Sequence, residues 1–225
     1  MFKFLIEKIS KIHYKKLSRI INNLKITSII DVGSHFGEFI EPIVKNKKIK
    51  FFYMYEPQKE AFKILKNKFK NKKKFKLFNF ALDKKSHSKK LYINKLSSSS
   101  TVTRYNQNSN YLKFKNYLLN TNKNYIKSYI VKTDTIDNHF KNKITKNFLL
   151  KLDVEGSEYN VLLGAKKILT KVDYIIIEKQ FFNLYRTNSY KLSHKYLNKI
   201  GFKILQKITF PTLHYQDILY INKNY

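Results

Sequence analysis

The stretch Ile29-Ile30-Asp31-Val32-Gly33-Ser34-His35-Phe36-Gly37-Glu38-Phe39 constrains the fold more than any other part of the chain. An apolar run of strand length meets two glycines and then apolar positions at helical spacing, which predicts a strand, a tight turn and an amphipathic helix. Glycine suits such a turn where φ is positive or where a bound molecule leaves no room for a Cβ, and a following helix aims its free N–H groups into it. In an open parallel sheet, ligands gather at the carboxyl ends of the strands, where strand order reverses. Read alone, the motif also fits a turn whose glycines only cap and pack.

The next run, Lys50-Phe51-Phe52-Tyr53-Met54-Tyr55, predicts a second strand closed by Glu56-Pro57, and Glu56 follows Gly37 by 19 residues. A carboxylate at that place can accept hydrogen bonds from both hydroxyls of a ribose. The spacing Asp-x-Gly-x-x-x-Gly departs from Gly-x-Gly-x-x-Gly, so a pyrophosphate ligand is the weaker reading. Asp31 beside the turn suits a cation. S-adenosyl-L-methionine carries an ammonium, a sulfonium and no phosphate, and is the cofactor these residues predict.

Strand, helix and strand then alternate. Phe39, Ile40, Ile43 and Val44 mark a first crossover helix; after Pro57, Ala61, Phe62, Leu65 and Phe69 mark a second; Phe75 to Leu82 reads as a third strand. This spacing is half of a doubly wound α/β sheet. From about 84 to 127 the pattern breaks into an insert, with a short strand at Lys89 to Asn94, a polar loop at 96–101 and an Asn- and Tyr-rich tract; it reads as a mobile cover over the substrate or as a surface excursion. Regularity returns with strands at Ser128–Lys132, Phe148–Asp153 and Asp173–Glu178, a helix through Val161, Leu162, Ala165, Ile168 and Leu169, and another over Tyr190–Ile200. Phe202–Ile208 and Ile218–Asn222 are joined too closely for a crossover and predict an antiparallel pair.

Residues 1–26 read as a basic amphipathic helix, with Phe2, Leu5, Ile9, Ile12, Ile20 and Leu24 among lysines, either packed across the edge of the domain formed by 27–225 or lying on a membrane surface; packing is favoured. They lack the uninterrupted apolar core of a secretory leader. With no cysteine, disulfides, thiolate metal sites and a cysteine nucleophile are excluded, no metal-ligand set is expected, and a cytoplasmic location is allowed. The net charge of +31 invites polyanions, yet Arg19, Arg104 and Arg186 are the three arginines among 46 basic residues. Base-edge and bidentate phosphate recognition favours arginine, so contact with nucleic acid is expected to be nonspecific, alongside peripheral attraction to anionic membrane.

Together these residues resemble the FkbM family of S-adenosylmethionine-dependent methyltransferases. The resemblance runs from about Thr27 to Tyr220. It rests on Asp31-Val32-Gly33 with Gly37-Glu38-Phe39, on Glu56-Pro57, on Asn79-Phe80-Ala81-Leu82, on Thr135-Ile136-Asp137, and above all on Lys151-Leu152-Asp153-Val154-Glu155-Gly156-Ser157-Glu158 followed by Val161-Leu162 and Gly164-Ala165. Ser34-His35 departs from the Ala-Asn more frequent in the family. The resemblance implies a Rossmann-like class I methyltransferase sheet of about seven strands with an antiparallel terminal strand, and methyl transfer to an oxygen of a small-molecule or glycan acceptor. It also implies that Asp31, Gly33 and Gly37 line the methionine, Glu56 the ribose, and Ala81 and Leu82 the adenine, with Ser34, His35, Glu38, Pro57, Asn79 and Asp153 completing the cofactor site.

Three acids, Asp153, Glu155 and Glu158, lie where a strand gives way to a helix. Acids there can simply stabilise the helix dipole, the role expected of Glu158. Asp153 ends a buried strand beside Gly156, and is expected to face the transferable methyl and orient or deprotonate the acceptor, with Glu155 as the alternative base and Glu178, at the next strand end, in support. An RNA methyltransferase and a lysine-rich binding module with a vestigial cofactor site are the rival readings.

Overall fold

The computed structural model describes residues 2–70, 73–118, 120–121, 125–140, 147–182, 184–186, 188–212 and 214–223, without the side chains of 2–7 and 115, so the expected apolar positions Phe2 and Leu5 lie outside the described side chains. In chain order the first elements are α1 (Phe2–Asn22), β1 (Ser28–Val32), β2 (Phe51–Tyr55), α2 (Lys59–Phe69), β3 (Phe75–Phe78), β4 (Ala81–Leu82), β5 (His87–Ile93) and α3 (Asn110–Leu118). They are followed by β6 (Lys127–Asp134), α4 (Ile136–Phe140), β7 (Phe148–Leu152), α5 (Glu158–Leu163), β8 (Val172–Gln180), α6 (Ser189–Lys199), β9 (Phe202–Thr209) and β10 (Tyr215–Asn222).

Seven strands form one sheet in the order β3-β2-β1-β7-β8-β10-β9. The first five are parallel, and β10 runs antiparallel to both β8 and β9, as expected for the terminal pair. Strand order reverses between β1 and β7. Alternate residues of these strands face opposite layers, so a sheet covered on both sides reads as continuous apolar sequence. Ile30, Val32, Leu150, Leu152, Ile175 and Ile177 pack against Phe140, Val161, Leu162 and Leu197 from α4, α5 and α6. Ile29, Leu149, Ile176 and Leu219 pack against Leu17 and Ile21 of α1 and Leu65 and Phe69 of α2. Each such side chain, fully buried, contributes about 1.5–3 kcal/mol of transfer free energy.

α1 therefore packs on the sheet, with His13, Leu17 and Ile21 buried and the expected Ile20 and Leu24 packed beside them, while the expected Ile12 is 65% exposed. No helix among the described residues is long and apolar enough to cross a membrane.

Several local expectations give way. The first crossover is not an α-helix: the chain turns through residues 34–40 and makes one 3₁₀ turn at Glu41–Ile43, because Pro42 has no N–H to continue a helical ladder. The run 75–82 is two strands in two sheets. Asn79 breaks it by donating its side-chain amide to the Glu56 carbonyl at 2.8 Å, and Ala81–Leu82 pairs instead with Thr133–Asp134. That pairing belongs to a second, unforeseen sheet of order β4-β6-β5, in which the first part of the insert is an ordinary strand antiparallel to β6 over a small core of Ala81, Leu91, Ile93 and Val131. The helix expected through Leu169 stops at Leu163, because Gly164 lies against the Asp83 carbonyl, 2.2 Å from where a Cβ would stand. Pro57 precedes α2 without entering it; the helix starts at Lys59 with Gln58 as its cap residue.

Candidate functional site

The carboxyl ends of β3, β2, β1 and β7 open side by side on one cavity enclosing about 800 Å³ of empty space, its solvent mouth included. Three steps between neighbouring strands, each about 4.8 Å, make a trough roughly 14 Å long. Its floor is set by Gly33. That residue has φ +84, and a Cβ on it would stand 1.9 Å from the Asp153 carbonyl oxygen, so only glycine lets β1 and β7 end this close together. The Gly33 and Ser34 N–H groups both donate to the Tyr55 carbonyl at 3.0 Å, so the main chain here serves the sheet and not an anion-binding helix start.

At the β2 end stands Glu56, 3% exposed. Its two oxygens accept the N–H groups of His35 and Gln58, each at 2.7 Å. Burial, opposed by these hydrogen bonds and by His35, pushes its carboxyl up to about 7. His35 holds a left-handed φ of +45 and bridges outward, one ring nitrogen 2.8 Å from Glu38 and the other 2.8 Å from the Ser97 hydroxyl. Gln58 also reaches Ser97, donating to its carbonyl at 2.9 Å. The polar loop of the insert is thereby pinned over the trough, with Ser98, Ser100, Thr101 and Val102 on its wall. Phe80, Ala81 and Leu82 form the apolar end beside β3.

At the β7 end Asp153 meets Lys151, whose ammonium lies 2.9 Å from Asp153 Oδ2 and 3.5 Å from Asp31 Oδ1. Against the penalty of its burial, Asp153 and Asp31 hold Lys151 well above its ordinary range. Tyr14 of α1 and Glu38 complete this end.

Of the residues expected to bind cofactor, Gly33, Ser34, His35, Glu38, Glu56, Pro57, Ala81, Leu82 and Asp153 line the trough. Three do not. Asp31 is fully buried below the floor, where β1 register sets it opposite Lys151; the cation it attracts is that lysine. Gly37, at φ +83, makes room for Phe69 of α2, whose ring edge lies 2.4 Å from where a Cβ would stand, and is a packing glycine. Asn79 acts through the Glu56 carbonyl.

The three candidate bases come together, with carboxylate oxygens of Asp153, Glu155 and Glu178 all within 4.8 Å of one another. Only Asp153 among them lines the trough. Glu178 opens on a neighbouring cavity with Gln180, Phe182, Tyr185 and Tyr190. Burial first, then Asp153 and Glu155, push Glu178 well above the usual carboxylate range. Glu155, expected as the alternative base, lines neither cavity. It sits at φ +52, accepts the Tyr185 hydroxyl and the Gln180 amide on one oxygen, and takes the Thr101 hydroxyl on its carbonyl at 2.6 Å. Three carboxylates this close could share one cation, a grouping not foreseen by a reading that expected no metal ligands. Glu158, expected only to favour the helix dipole, is buried and accepts the Gly156 N–H at 3.0 Å.

Sequence reasoning quoted Lys151 without giving it a role, read the insert as a cover without naming its wall residues, and missed Tyr14. A signal existed for Lys151, a lysine in the otherwise apolar strand Phe148-Leu149-Leu150-Lys151-Leu152, since a buried lysine requires a buried partner. Nothing local marks Tyr14.

The model of the family described as Methyltransferase FkbM domain matches residues 31–204. No curated protein matches the chain. Among solved structures, the methyltransferase FkbM from Methylobacillus flagellatus superimposes with a TM-score of 0.56 at 16% identity, covering 88% of this chain and 44% of that one. This chain thus spans less than half the length of that protein. TrmK from M. capricolum, solved with S-adenosyl-homocysteine, gives 0.52 at 16% identity, with 94% and 67% covered. Fibrillarin from Aeropyrum pernix, with natively bound S-adenosyl-L-methionine, gives 0.50 at 10% identity, with 93% and 76% covered.

Proposed function

The chain belongs to the FkbM methyltransferase family, and from that premise we propose that it uses S-adenosyl-L-methionine to methylate a hydroxyl of a sugar, glycan or glycolipid precursor. One observation carries the cofactor reading: a trough crossing the ends of β3, β2, β1 and β7 with a buried carboxylate, Glu56, on the wall at the second of them. Its length suits a nucleoside extended by an amino-acid chain, and its donor and acceptor set suits one as well. Glu56 would take the ribose hydroxyls on lone pairs left free by His35 and Gln58, and the apolar stretch at Phe80, Ala81 and Leu82 would take the adenine.

Bound there, the cofactor supplies an electrophilic methyl. The residues of this chain align the acceptor oxygen in line with it and remove the acceptor proton. Asp153, on the trough wall and charge-paired with Lys151, orients the acceptor. Glu178, with a carboxylate oxygen within 4.8 Å of it and open to the neighbouring cavity, is placed to receive the acceptor proton when it is itself ionised. The aromatic side chains beside Glu178 offer the flat faces on which a sugar ring packs.

Calorimetric titration of the full chain tests the donor: S-adenosyl-homocysteine should bind and NAD should not, and the reverse result overturns the reading. Transfer of labelled methyl to glycan extracts, read by mass spectrometry, tests the acceptor. The surplus of 31 positive charges attracts nucleic acid and anionic lipid without selectivity. Binding to RNA should therefore fade steeply as salt is raised, and sequence-selective binding that survives about 0.15 M salt would put RNA in place of the glycan.

A further inference from the structure

Tyr14 lies on α1, ahead of the residues matched by the family, yet lines the trough at its β7 end. Its ring stands edge-on to Phe39, with centroids 6.4 Å apart. The helix cannot rotate freely about this point, because the neighbouring His13 is anchored from the same turn. His13 Nε2 lies 2.6 Å from Asp217 Oδ2, a buried pair, and its ring packs edge-on to Phe210 and Tyr215 at 5.1 and 5.6 Å. Tyr14 is therefore delivered to the cavity by a rigid element, while its hydroxyl has no hydrogen-bond partner among the described residues. A phenol held beside a ligand cavity with nothing to donate to is a donor awaiting an acceptor. Burial pushes its ionisation well above the ordinary range, which keeps the proton on the oxygen.

Sheet order fixes which part of a ligand reaches it. If the nucleoside occupies the β3 and β2 ends, the β7 end receives the amino-acid tail, a zwitterion. That end carries both complements: Glu38 as an acceptor for an ammonium, Lys151 and Tyr14 as donors for a carboxylate. We propose that Tyr14 determines donor specificity, its hydroxyl donating to the α-carboxylate of the cofactor's amino-acid end beside the Lys151 ammonium. The inference rests on the donor reading above and adds to it a residue contributed from outside the family's matched segment.

The test compares two ligands on the full chain by calorimetry. S-adenosyl-homocysteine keeps the amino-acid end, whereas 5′-methylthioadenosine keeps the nucleoside and lacks that end. Tyr14→Phe should weaken S-adenosyl-homocysteine about tenfold, the cost of one hydrogen bond to a charged group, and leave 5′-methylthioadenosine within about twofold. Unchanged affinity for both ligands overturns the proposal. So does an equal loss for both, which would make Tyr14 a packing residue. If the unaltered protein binds neither ligand, the donor reading itself fails, and that outcome is read before any variant is made.

Discussion

At the β2 end of the trough Glu56 is held by main chain, its oxygens accepting two backbone N–H groups at 2.7 Å. At the β7 end Asp153 is held by a side chain, the Lys151 ammonium at 2.9 Å, which also answers Asp31. The difference teaches two things. Main-chain donors position a carboxylate without neutralising it, so burial is free to push Glu56 up to about 7 and leave it able to take or lose a proton near neutrality. A buried cation draws two carboxylates to itself instead, and makes the whole cluster depend on one side chain.

Breaking the second arrangement should have the largest effect. Lys151→Met leaves Asp31 and Asp153 with no cation between them, and urea unfolding at pH 7 should show a loss of about 3–5 kcal/mol. Acid should restore part of it, because burial raises Asp31 and a proton can then replace the missing ammonium. Asp153→Asn is next: it keeps the shape and removes the charge, so methyl transfer should fall by about 10²-fold with donor affinity changed by only a few fold. Normal turnover in a folded Asp153→Asn protein would leave Glu178 as sufficient on its own.

The first arrangement is sharpened by pH. A carboxyl raised in the folded state binds its proton more tightly than in the unfolded chain, so the stability from Glu56 is present at low pH and is lost as pH rises from its ordinary 4.5 through about 7. Donor affinity should run the other way, since the ionised form accepts the ribose hydroxyls: it should climb across neutral pH and level off above it. Glu56→Ala should abolish that climb and cost at least about tenfold in affinity at pH 8. A slope that persists in the variant would place the titrating group elsewhere. The smallest effect is expected of His35→Asn. Asparagine tolerates the left-handed φ better, but loses the bridge to Ser97, so S-adenosyl-homocysteine affinity should stay within about threefold while amide exchange in residues 96–101 quickens.

The same contrast explains what could be read in the sequence. The β2 end is local: strand, glycine turn, strand and Glu56-Pro57 follow one another, and the structure assembles them in that order. The buried strands and the terminal antiparallel pair were legible for the same reason, as continuous apolar runs with spacings that leave few topologies. Pro42 carried a warning against a first crossover helix, since apolar spacing at Ile40 and Ile43 says nothing about the missing N–H between them. Asn79 and Gly164 act through the carbonyls of Glu56 and Asp83, which no local pattern displays. The β7 end is only partly local: Lys151 meets Asp153 within one short stretch, but its second partner, Asp31, comes from another strand, and Tyr14 arrives only once α1 has docked.

The pairing of His13 with Asp217 ties residues 204 positions apart. During synthesis the helix that carries Tyr14 emerges long before the strand that anchors it, so the β7 end of the trough must wait for β10 before it takes its final form. Contacts of such sequence separation form late because the loop they close is costly to order. A ribosome-bound chain that has not yet released β10 would therefore have the glycine turn and Glu56 in place while α1 still lacked its partner. The buried contact between His13 and Asp217 thus marks chains in which β10 has taken its place.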